Sequence, residues 1–283
     1  MQTAIALGSI IARATFPASE RATHSRLIHQ SGLGELLDID FSSTSLNQFY
    51  EISDQLLRHK KELEQHVMMR QKQLHQYTNT ILLFDLTNTY LEGQAKGVAK
   101  AQFGVSKEKR SDCRLITLGL VLNQQGFLSR SEFLPGNVSE PKSLKDAIEA
   151  LSSTEDLFKP TIISEKLADK LTGRYYLRTN LLHLGAKELW DLYNSIRTVE
   201  DAFRFMKSSL GMRPVYHQKG HRVDGHLWIT ILAYTLIQDV LHRLRAKGIT
   251  YHKSLFRHKA LYFLRRAAAF FFLSGLIGTS SYR

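Results

Sequence analysis

Apolar side chains recur at helical spacing early in the chain, and this pattern predicts helices over residues 19–80. Ser45 precedes a segment in which Leu46, Phe49 and Ile52 share one face, so the serine is expected to cap a helix. The stripe then continues through a highly charged stretch and predicts one long amphipathic helix, its apolar positions being Leu56, Leu63, Val67 and Leu74.

The hydrophobic period changes at residue 81. Residues 81–84 form a short apolar run that predicts a buried strand ending at Asp85. Residues 115–122 and 127–134 are rich in strand-forming side chains and flank a polar turn, which predicts a hairpin that ends at Pro135.

Helical patterns return in the second half of the chain. Ser139 is expected to cap a short helix, and residues 186–210 form a longer one that ends at Gly211. Residues 223–244 contain a long apolar run and predict the most buried helix of the protein.

Charge and cysteine content narrow the class of protein. The 283 residues carry a net charge of +12 with a pI near 9.7, which favours a polyanionic partner such as nucleic acid, although a basic protein without that role has the same charge. The single cysteine, Cys113, excludes an intrachain disulfide framework and a cysteine zinc site, and it fits the reducing cytoplasm. The twelve histidines show no metal-binding spacing, so most are interpreted as surface or DNA-facing groups.

No membrane segment is expected. Residues 1–12 are mildly apolar but lack the basic start and cleavage site of a secretory signal. The apolar run 267–277 follows Arg265 and Arg266 too closely to span a bilayer, and it is interpreted as a core helix or an atypical tail.

Residues 186–210 carry two parallel stripes. The first is apolar and faces the core: Leu192, Ile196, Val199, Phe203, Met206 and Leu210. The second places one carboxylate among cations and a phenol: Tyr193, Arg197, Glu200, Arg204 and Lys207. Taken alone, this second stripe is typical of a solvated helix face with weak ion pairs.

Asp85 changes that interpretation, because a carboxylate after a buried strand and another on a late helix are the parts of a metal-dependent nuclease site. Such sites bind hard divalent cations through carboxylate oxygens, and two ions suit phosphodiester cleavage or transfer. The alternative is that Asp85 forms a turn or caps a helix.

Several motifs, taken in order, resemble bacterial insertion-sequence transposases. They are Asp85-Leu86-Thr87-Asn88-Thr89-Tyr90, Ser106-Lys107-Glu108-Lys109-Arg110-Ser111-Asp112, Pro135-Gly136-Asn137-Val138-Ser139-Glu140-Pro141 and Val199-Glu200-Asp201-Ala202-Phe203-Arg204. The family consists of Asp-Asp-Glu enzymes with a ribonuclease H-like core and a Tyr-Arg-Glu-Lys signature. The resemblance therefore implies Mg²⁺ or Mn²⁺ as cofactor and double-stranded DNA, both transposon ends and target, as partner.

The resemblance assigns roles to single residues. Asp85 matches the first catalytic Asp and Glu200 the catalytic Glu, so both are expected to bind metal. Tyr193 and Lys207 match the flanking signature residues, which handle DNA in the family. Ile196 stands where the signature has Arg, and the adjacent Arg197 points about 100° away on a helix.

Other cations are expected to contact DNA as well: Arg204, Lys107, Lys109 and Arg110. Phosphate contacts would also suit Arg213, His217 and Arg222, although a basic surface explains these three equally well.

The second Asp of the family has no counterpart. It is expected after the strand at residues 160–163, but Ser164 and Glu165 follow instead. Residues 164–172 are too few for a parallel crossover to the strand expected at 173–180, which suggests an internal deletion. Glu165 or Asp169 could replace the missing carboxylate.

Together these observations predict an α/β protein with an incomplete ribonuclease H-like core at residues 81–245. A helical N-terminal region (1–80) precedes it and an atypical tail (246–283) follows it. The expected function is that of a cytoplasmic insertion-sequence transposase, truncated and impaired in this copy, with homo-oligomerisation left open. The alternatives are a non-catalytic DNA-binding remnant, an inhibitor of an intact transposase, and a marginally stable product without function.

Overall fold

The computed structural model describes residues 1–76, 82–106, 110–138, 164–165, 177–178 and 184–249. Five α-helices and one 3-10 turn precede the first strand: α1 (Gln2–Thr15), α2 (Glu20–His29), α3 (Leu33–Leu37), the 3-10 turn Phe41–Ser43, α4 (Leu46–Arg58) and α5 (Lys60–His75).

The start of α4 confirms the predicted cap. The Ser45 hydroxyl accepts a hydrogen bond from the Gln48 amide at 3.3 Å, and the Gln48 side chain accepts one from the Ser45 amide at 2.7 Å. This reciprocal pair satisfies two backbone donors that a helix start otherwise leaves unpaired. Phe49, Ile52 and Leu56 are buried on one face, as their spacing predicts.

The prediction of a single long helix through this region was wrong, because the helix is interrupted at His59, between α4 and α5. The two helices have different partners. α4 packs against the last described helix, whereas α5 packs against the third strand. Tertiary packing therefore overrides a continuous amphipathic pattern at this point.

Three antiparallel strands form the main sheet in the order β1 (Leu82–Tyr90), β2 (Leu115–Asn123) and β3 (Leu128–Pro135). The predicted hairpin is confirmed. In its turn the Asn123 Oδ1 accepts hydrogen bonds from the amides of Gln125 (3.0 Å) and Phe127 (2.9 Å). Gly126 has φ +84°, a left-handed conformation that glycine adopts without strain.

The prediction that the first strand ends at Asp85 was wrong. β1 continues to Tyr90, and Asp85 pairs with Leu120 in mid-strand. Threonines and Asn88 continue the strand after Asp85, and β-branched side chains pack well on a pleated surface. Asp85 is therefore neither a turn residue nor a helix cap.

Three helices complete the described chain: α6 (Ala186–Ser195), α7 (Arg197–Ser209) and α8 (Gly220–Ala246). The prediction of a single helix over residues 186–210 was wrong, because the helix is interrupted once, at Ile196. The Ile196 amide bonds to the Tyr193 carbonyl at 3.2 Å, three residues back, so the hydrogen-bond pattern tightens between α6 and α7. Gly211, with φ +62°, follows α7 as predicted.

α8 confirms the expectation of a deeply buried helix, since nearly all of its residues from Val223 to Leu241 lie in the interior. α1 and α4 pack against it. One hydrophobic cluster joins these helices to β2, with Ile11, Phe49, Leu120 and Trp228 among its buried members. The domain boundary predicted near residue 80 remains a prediction. Residues before and after it belong to the same hydrophobic cluster.

A short second sheet pairs β4 (Ser164–Glu165) with β5 (Leu177–Arg178) in antiparallel orientation. An antiparallel pair needs no crossover, so this pairing is compatible with a connection too short for a parallel one. The internal deletion itself remains a hypothesis.

Several expectations lie outside the described residues: the helix capped by Ser139, the strand at 160–163 and the tail at 246–283 beyond Ile249. Within the described ranges, no helix has the length and apolar character needed to cross a bilayer.

Candidate functional site

Asp85 lies on the inner face of the sheet. Side chains alternate along a strand, and directly paired antiparallel residues point to the same face. Asp85 therefore shares its face with its partner Leu120, which is fully buried in the hydrophobic cluster. Phe84 and Leu86 lie on the opposite face, where both approach Gly119.

The Asp85 carboxylate is half-buried, and its neighbours on the inner face, Leu83 and Thr87, are buried. Its Oδ1 accepts a hydrogen bond from the Leu86 amide at 2.7 Å. A carboxylate on the inner face of a sheet is unusual, because desolvation penalises its charged form unless partners compensate. This placement distinguishes Asp85 from an ordinary surface acid.

Glu200 lies in the first turn of α7 and is exposed. A carboxylate at this end of a helix is stabilised by the helix dipole. The opposite face of α7 is buried, with Val199, Phe203 and Met206 in the hydrophobic cluster.

Packing brings the two carboxylate-bearing elements together. α7 contacts β1 directly. Val199, next to Glu200, and Leu120, opposite Asp85, belong to the same buried cluster. The fold therefore brings into contact two elements whose carboxylates are far apart in sequence.

The residues of the predicted polar stripe are divided between two helices, with the cations on α7 and Tyr193 on α6. Arg197 and Arg204 are exposed on α7 beside Glu200, and Arg204 pairs with Asp201 at 3.4 Å. Lys207 is half-buried in the last turn of α7. Tyr193 lies on α6, beyond the break, with its ring 5.7 Å from that of Trp190. The continuous five-residue face expected from spacing alone is therefore interrupted at Ile196.

Arg110 forms a bidentate pair with Asp112, with both N–O distances 2.6 Å, and its guanidinium lies 4.8 Å from the Tyr90 ring centroid. The hydrogen bond to Asp112 raises the pKa of Arg110 above its ordinary value. Lys107 and Lys109 lie outside the described residues, as does Asp169, and Glu165 is described only through its backbone pairing in β4.

A comparison with known protein families shows which family the chain belongs to. Residues 48–236, about two-thirds of the chain, match the family model described as the transposase DDE domain. The chain belongs to this transposase family. Its members are transposases, enzymes that act on DNA and generally use divalent metal ions. No curated protein and no solved structure gives a significant match.

The transposase also contains a polar cluster that sequence reasoning missed. Glu20, His217 and His226 place one ligand-type atom each within 4.8 Å of one another. The Glu20 carboxylate pairs with His217 Nε2 at 3.2 Å. The residues come from α2, the loop after α7, and α8, so no local spacing could have indicated the group.

This cluster is better explained as a buried polar network than as a metal centre. Arg13 Nη2 donates to His226 Nδ1 at 3.3 Å, and His226 Nε2 donates to the Gly211 carbonyl at 3.2 Å. Both ring nitrogens of His226 are thus engaged. The adjacent Arg13 guanidinium, itself buried, would also repel a bound cation.

The network shifts the pKa values of its members, and burial lowers that of Arg13. Burial, together with the charge of Arg13, lowers the pKa of His226 to about 3. Burial would raise the pKa of Glu20, but hydrogen bonding and charge interaction with His217, with Arg13 adding, lower it to about 2. Glu20 is therefore ionised and His226 neutral at pH 7.

The interpretation of most histidines as surface or DNA-facing groups was wrong for at least two of them. His226 is buried, and so is the His75 side chain, whose Nε2 pairs with Asp239 Oδ1 at 2.7 Å. Of the three residues suggested for phosphate contacts, His217 pairs with Glu20, and Arg222 pairs with Asp54 at 3.3 Å.

Proposed function

We propose that this transposase cleaves DNA at the ends of an insertion sequence and joins them to target DNA, using Asp85 and Glu200 as metal-binding carboxylates. The observation that supports the proposal is the packing of α7 on β1, with Asp85 on the inner face of the sheet. The resemblance to Asp-Asp-Glu transposases implies the same two parts, a first Asp on a strand and a Glu on a late helix.

The donor atoms suit Mg²⁺ or Mn²⁺. Both candidates are carboxylates, and hard divalent cations prefer carboxylate oxygen and retain several waters. When bound, such ions activate the attacking oxygen and stabilise the leaving oxygen of a phosphodiester. The contribution of Asp85 is a half-buried anion that hydrogen bonding to the Leu86 amide holds in place. Glu200 contributes a second, solvent-accessible anion.

The surrounding cations are proposed to bind the DNA backbone. Arg197 and Arg204 flank Glu200 on the exposed face of α7, and Lys207 follows one turn later. Arg110, with Lys107 and Lys109 from the same segment, would add phosphate contacts. A protein of net charge +12 gains affinity by releasing counterions from DNA. The cytoplasm, where the DNA lies and where a single thiol stays reduced, is the proposed location.

The first experiment measures nicking of supercoiled plasmid by the purified chain with Mn²⁺. Asp85→Asn and Glu200→Gln should each lower the rate at least 100-fold, because each removes a metal-binding charge while preserving side-chain shape. The matched control is Asp201→Asn, an exposed carboxylate next to Glu200 whose loss should change the rate less than threefold. Equal nicking by all four proteins would contradict the assignment of Asp85 and Glu200.

A second candidate function is a catalytically inactive DNA-binding protein that interferes with an intact transposase by occupying its DNA or pairing with it. The supporting observation is the sequence Ser164-Glu165, at the place where the resemblance leads us to expect the second Asp of the family. Salt-sensitive DNA binding without nicking in the parent chain would favour this candidate. Nicking that Glu165→Gln abolishes would instead assign the third carboxylate to Glu165.

A further inference from the structure

Three consecutive residues in the connection between β1 and β2 form an exposed tip, residues 103–105. Phe103 is 58% exposed and Val105 92% exposed, which makes Val105 the most exposed large apolar side chain among the described residues. Single exposed apolar residues are ordinary, but two within three positions are an unusual arrangement.

The backbone at the base of this tip is fixed. Gln102 exchanges two hydrogen bonds with Leu115, at 3.1 and 2.8 Å, and Ala101 is fully buried beside it. Gly104 packs so closely against Gly136 that an added Cβ would overlap the Gly136 carbonyl oxygen. The backbone next to the apolar tip is therefore well packed.

The Phe103 ring is also oriented. The Arg114 guanidinium lies 5.2 Å from its centroid, and Arg114 Nη1 donates to the Ala101 carbonyl at 3.0 Å. Cation–π contact of this kind holds an aromatic ring in place while leaving area for another planar group. An aromatic side chain that is oriented before binding loses little entropy on stacking.

Charge identifies the kind of partner. The described residues of 96–114 contain four basic side chains (Lys96, Lys100, Arg110 and Arg114) and one acidic side chain (Asp112), a net charge of +3. The tip is too small to form a stable protein interface, which buries about 800 Å² per partner. Aromatic side chains among cations are typical of surfaces that stack on nucleic-acid bases.

The strand pairing places the tip at the Tyr90 end of β1. Leu115, which pairs with Gln102, also pairs with Tyr90, five residues along β1 from Asp85. At about 3.4 Å per residue, the separation along the strand is about 17 Å. The same length of DNA covers about five base pairs.

We propose that Phe103 stacks on an unpaired base of the DNA substrate, with Val105 beside it as an apolar wedge. This inference rests on the proposed function and adds a position at which the duplex is opened. Base stacking on an aromatic ring is tolerant of sequence, so the contact selects distorted DNA instead of a particular base.

The test compares the affinity of the full chain for two fluorescent duplexes of the same sequence, one fully paired and one with two adjacent mismatches, without divalent metal. The parent should bind the mismatched duplex about tenfold more tightly. Phe103→Ala should abolish this preference and change the affinity for the paired duplex less than twofold. Phe103→Trp should retain the preference.

The matched control is Met69→Ala, which removes an exposed apolar side chain on α5, 53% exposed, and should retain the preference. A 2-aminopurine at the mismatch should be quenched by the parent and not by Phe103→Ala.

Equal binding of both duplexes by the parent, or an undiminished preference in Phe103→Ala, would overturn the stacking role and leave the proposed function intact. If the parent bound neither duplex, both the stacking role and the proposed function would be overturned. A dimer that Phe103→Ala dissociates, with the preference unchanged, would identify the tip as a protein contact and also overturn the stacking role.

Discussion

At the scale of single residues, the buried network around His226 shows how tertiary structure changes side-chain chemistry. Arg13 on α1 and His226 on α8 are 213 positions apart, yet their side chains lie 3.3 Å from each other in the interior. Neither carries a local signal of burial, because arginine and histidine are common on surfaces. Burial, together with the charge of Arg13, nevertheless lowers the pKa of His226 and keeps it neutral at pH 7.

The depressed pKa of His226 predicts acid-sensitive stability. Between its folded pKa of about 3 and its ordinary value of 6.5, the unfolded chain binds a proton that the folded chain does not. The free energy of unfolding should therefore fall as pH falls through this window, by up to about 1.4 kcal/mol per pH unit for this group. Glu20, with a pKa of about 2, adds a further loss below about pH 4.5.

His226→Gln should weaken this pH dependence, because glutamine can replace both hydrogen bonds and does not titrate. Urea unfolding at pH 7 and at pH 5 measures the effect, and His29→Gln, on the exposed end of α2, is the control. The same loss of stability on acidification in His226→Gln and the parent would contradict the assignment.

At the scale of elements, the hairpin turn joins the sheet to the helices. Tyr234 of α8 donates its hydroxyl to the Gly126 carbonyl at 2.8 Å, and Gln238 Nε2 donates to the Gln125 carbonyl at 3.1 Å. The turn thereby satisfies polar groups of a helix that is otherwise buried. The sequence indicates the hairpin, but this docking depends on residues over 100 positions away.

Gly126→Ala should destabilise the protein by about 2 kcal/mol. The position has φ +84°, and a Cβ there would lie 2.5 Å from Gln238 Nε2 and 3.2 Å from the Tyr234 hydroxyl. Chemical denaturation measures the change. Gly220→Ala, at the start of α8 with no atom near the new Cβ, should be neutral or stabilise by up to about 1 kcal/mol. Similar effects of the two substitutions would exclude a special constraint at Gly126.

At the scale of the whole molecule, the helices before residue 80 and the elements after it share one hydrophobic cluster. α1 and α4 both pack against α8, and Ile5, Ile11 and Phe49 are almost completely buried. Burying such a side chain contributes about 1.5–3 kcal/mol, and a domain is typically stable by only about 5–15 kcal/mol. The helices before residue 80 are therefore expected to be necessary for the folding of the rest of the chain.

A chain that lacks residues 1–80 should accordingly show no cooperative unfolding transition by circular dichroism. Ile11→Ala tests the same contact in the intact chain and should lower stability by about 2–5 kcal/mol. Asn47→Ala, at an exposed position on α4, should change it by less than about 0.5 kcal/mol. Cooperative unfolding of the shortened chain at the parent temperature would indicate two independent domains.

Sequence reasoning identified features that depend on near neighbours. Ser45 and Gln48 form their capping box within one turn, and Asn123 and Gly126 form the hairpin turn within four residues. The family was also recognisable, because short motifs around Asp85 and Glu200 retain their order. The assignment of these two carboxylates to a metal site remains a prediction, since it came from resemblance.

Tertiary structure alone decided the points at which local patterns fail. The helix break at His59, the interruption at Ile196 and the continuation of β1 through Asp85 all follow from which surfaces pack together. The same holds for the burial of His226 beside Arg13. By itself, the sequence determined the Ser45 cap, the hairpin turn and the family, since these depend on short-range geometry or on motif order. Packing decided element boundaries and side-chain ionisation, because both depend on residues far apart in the chain.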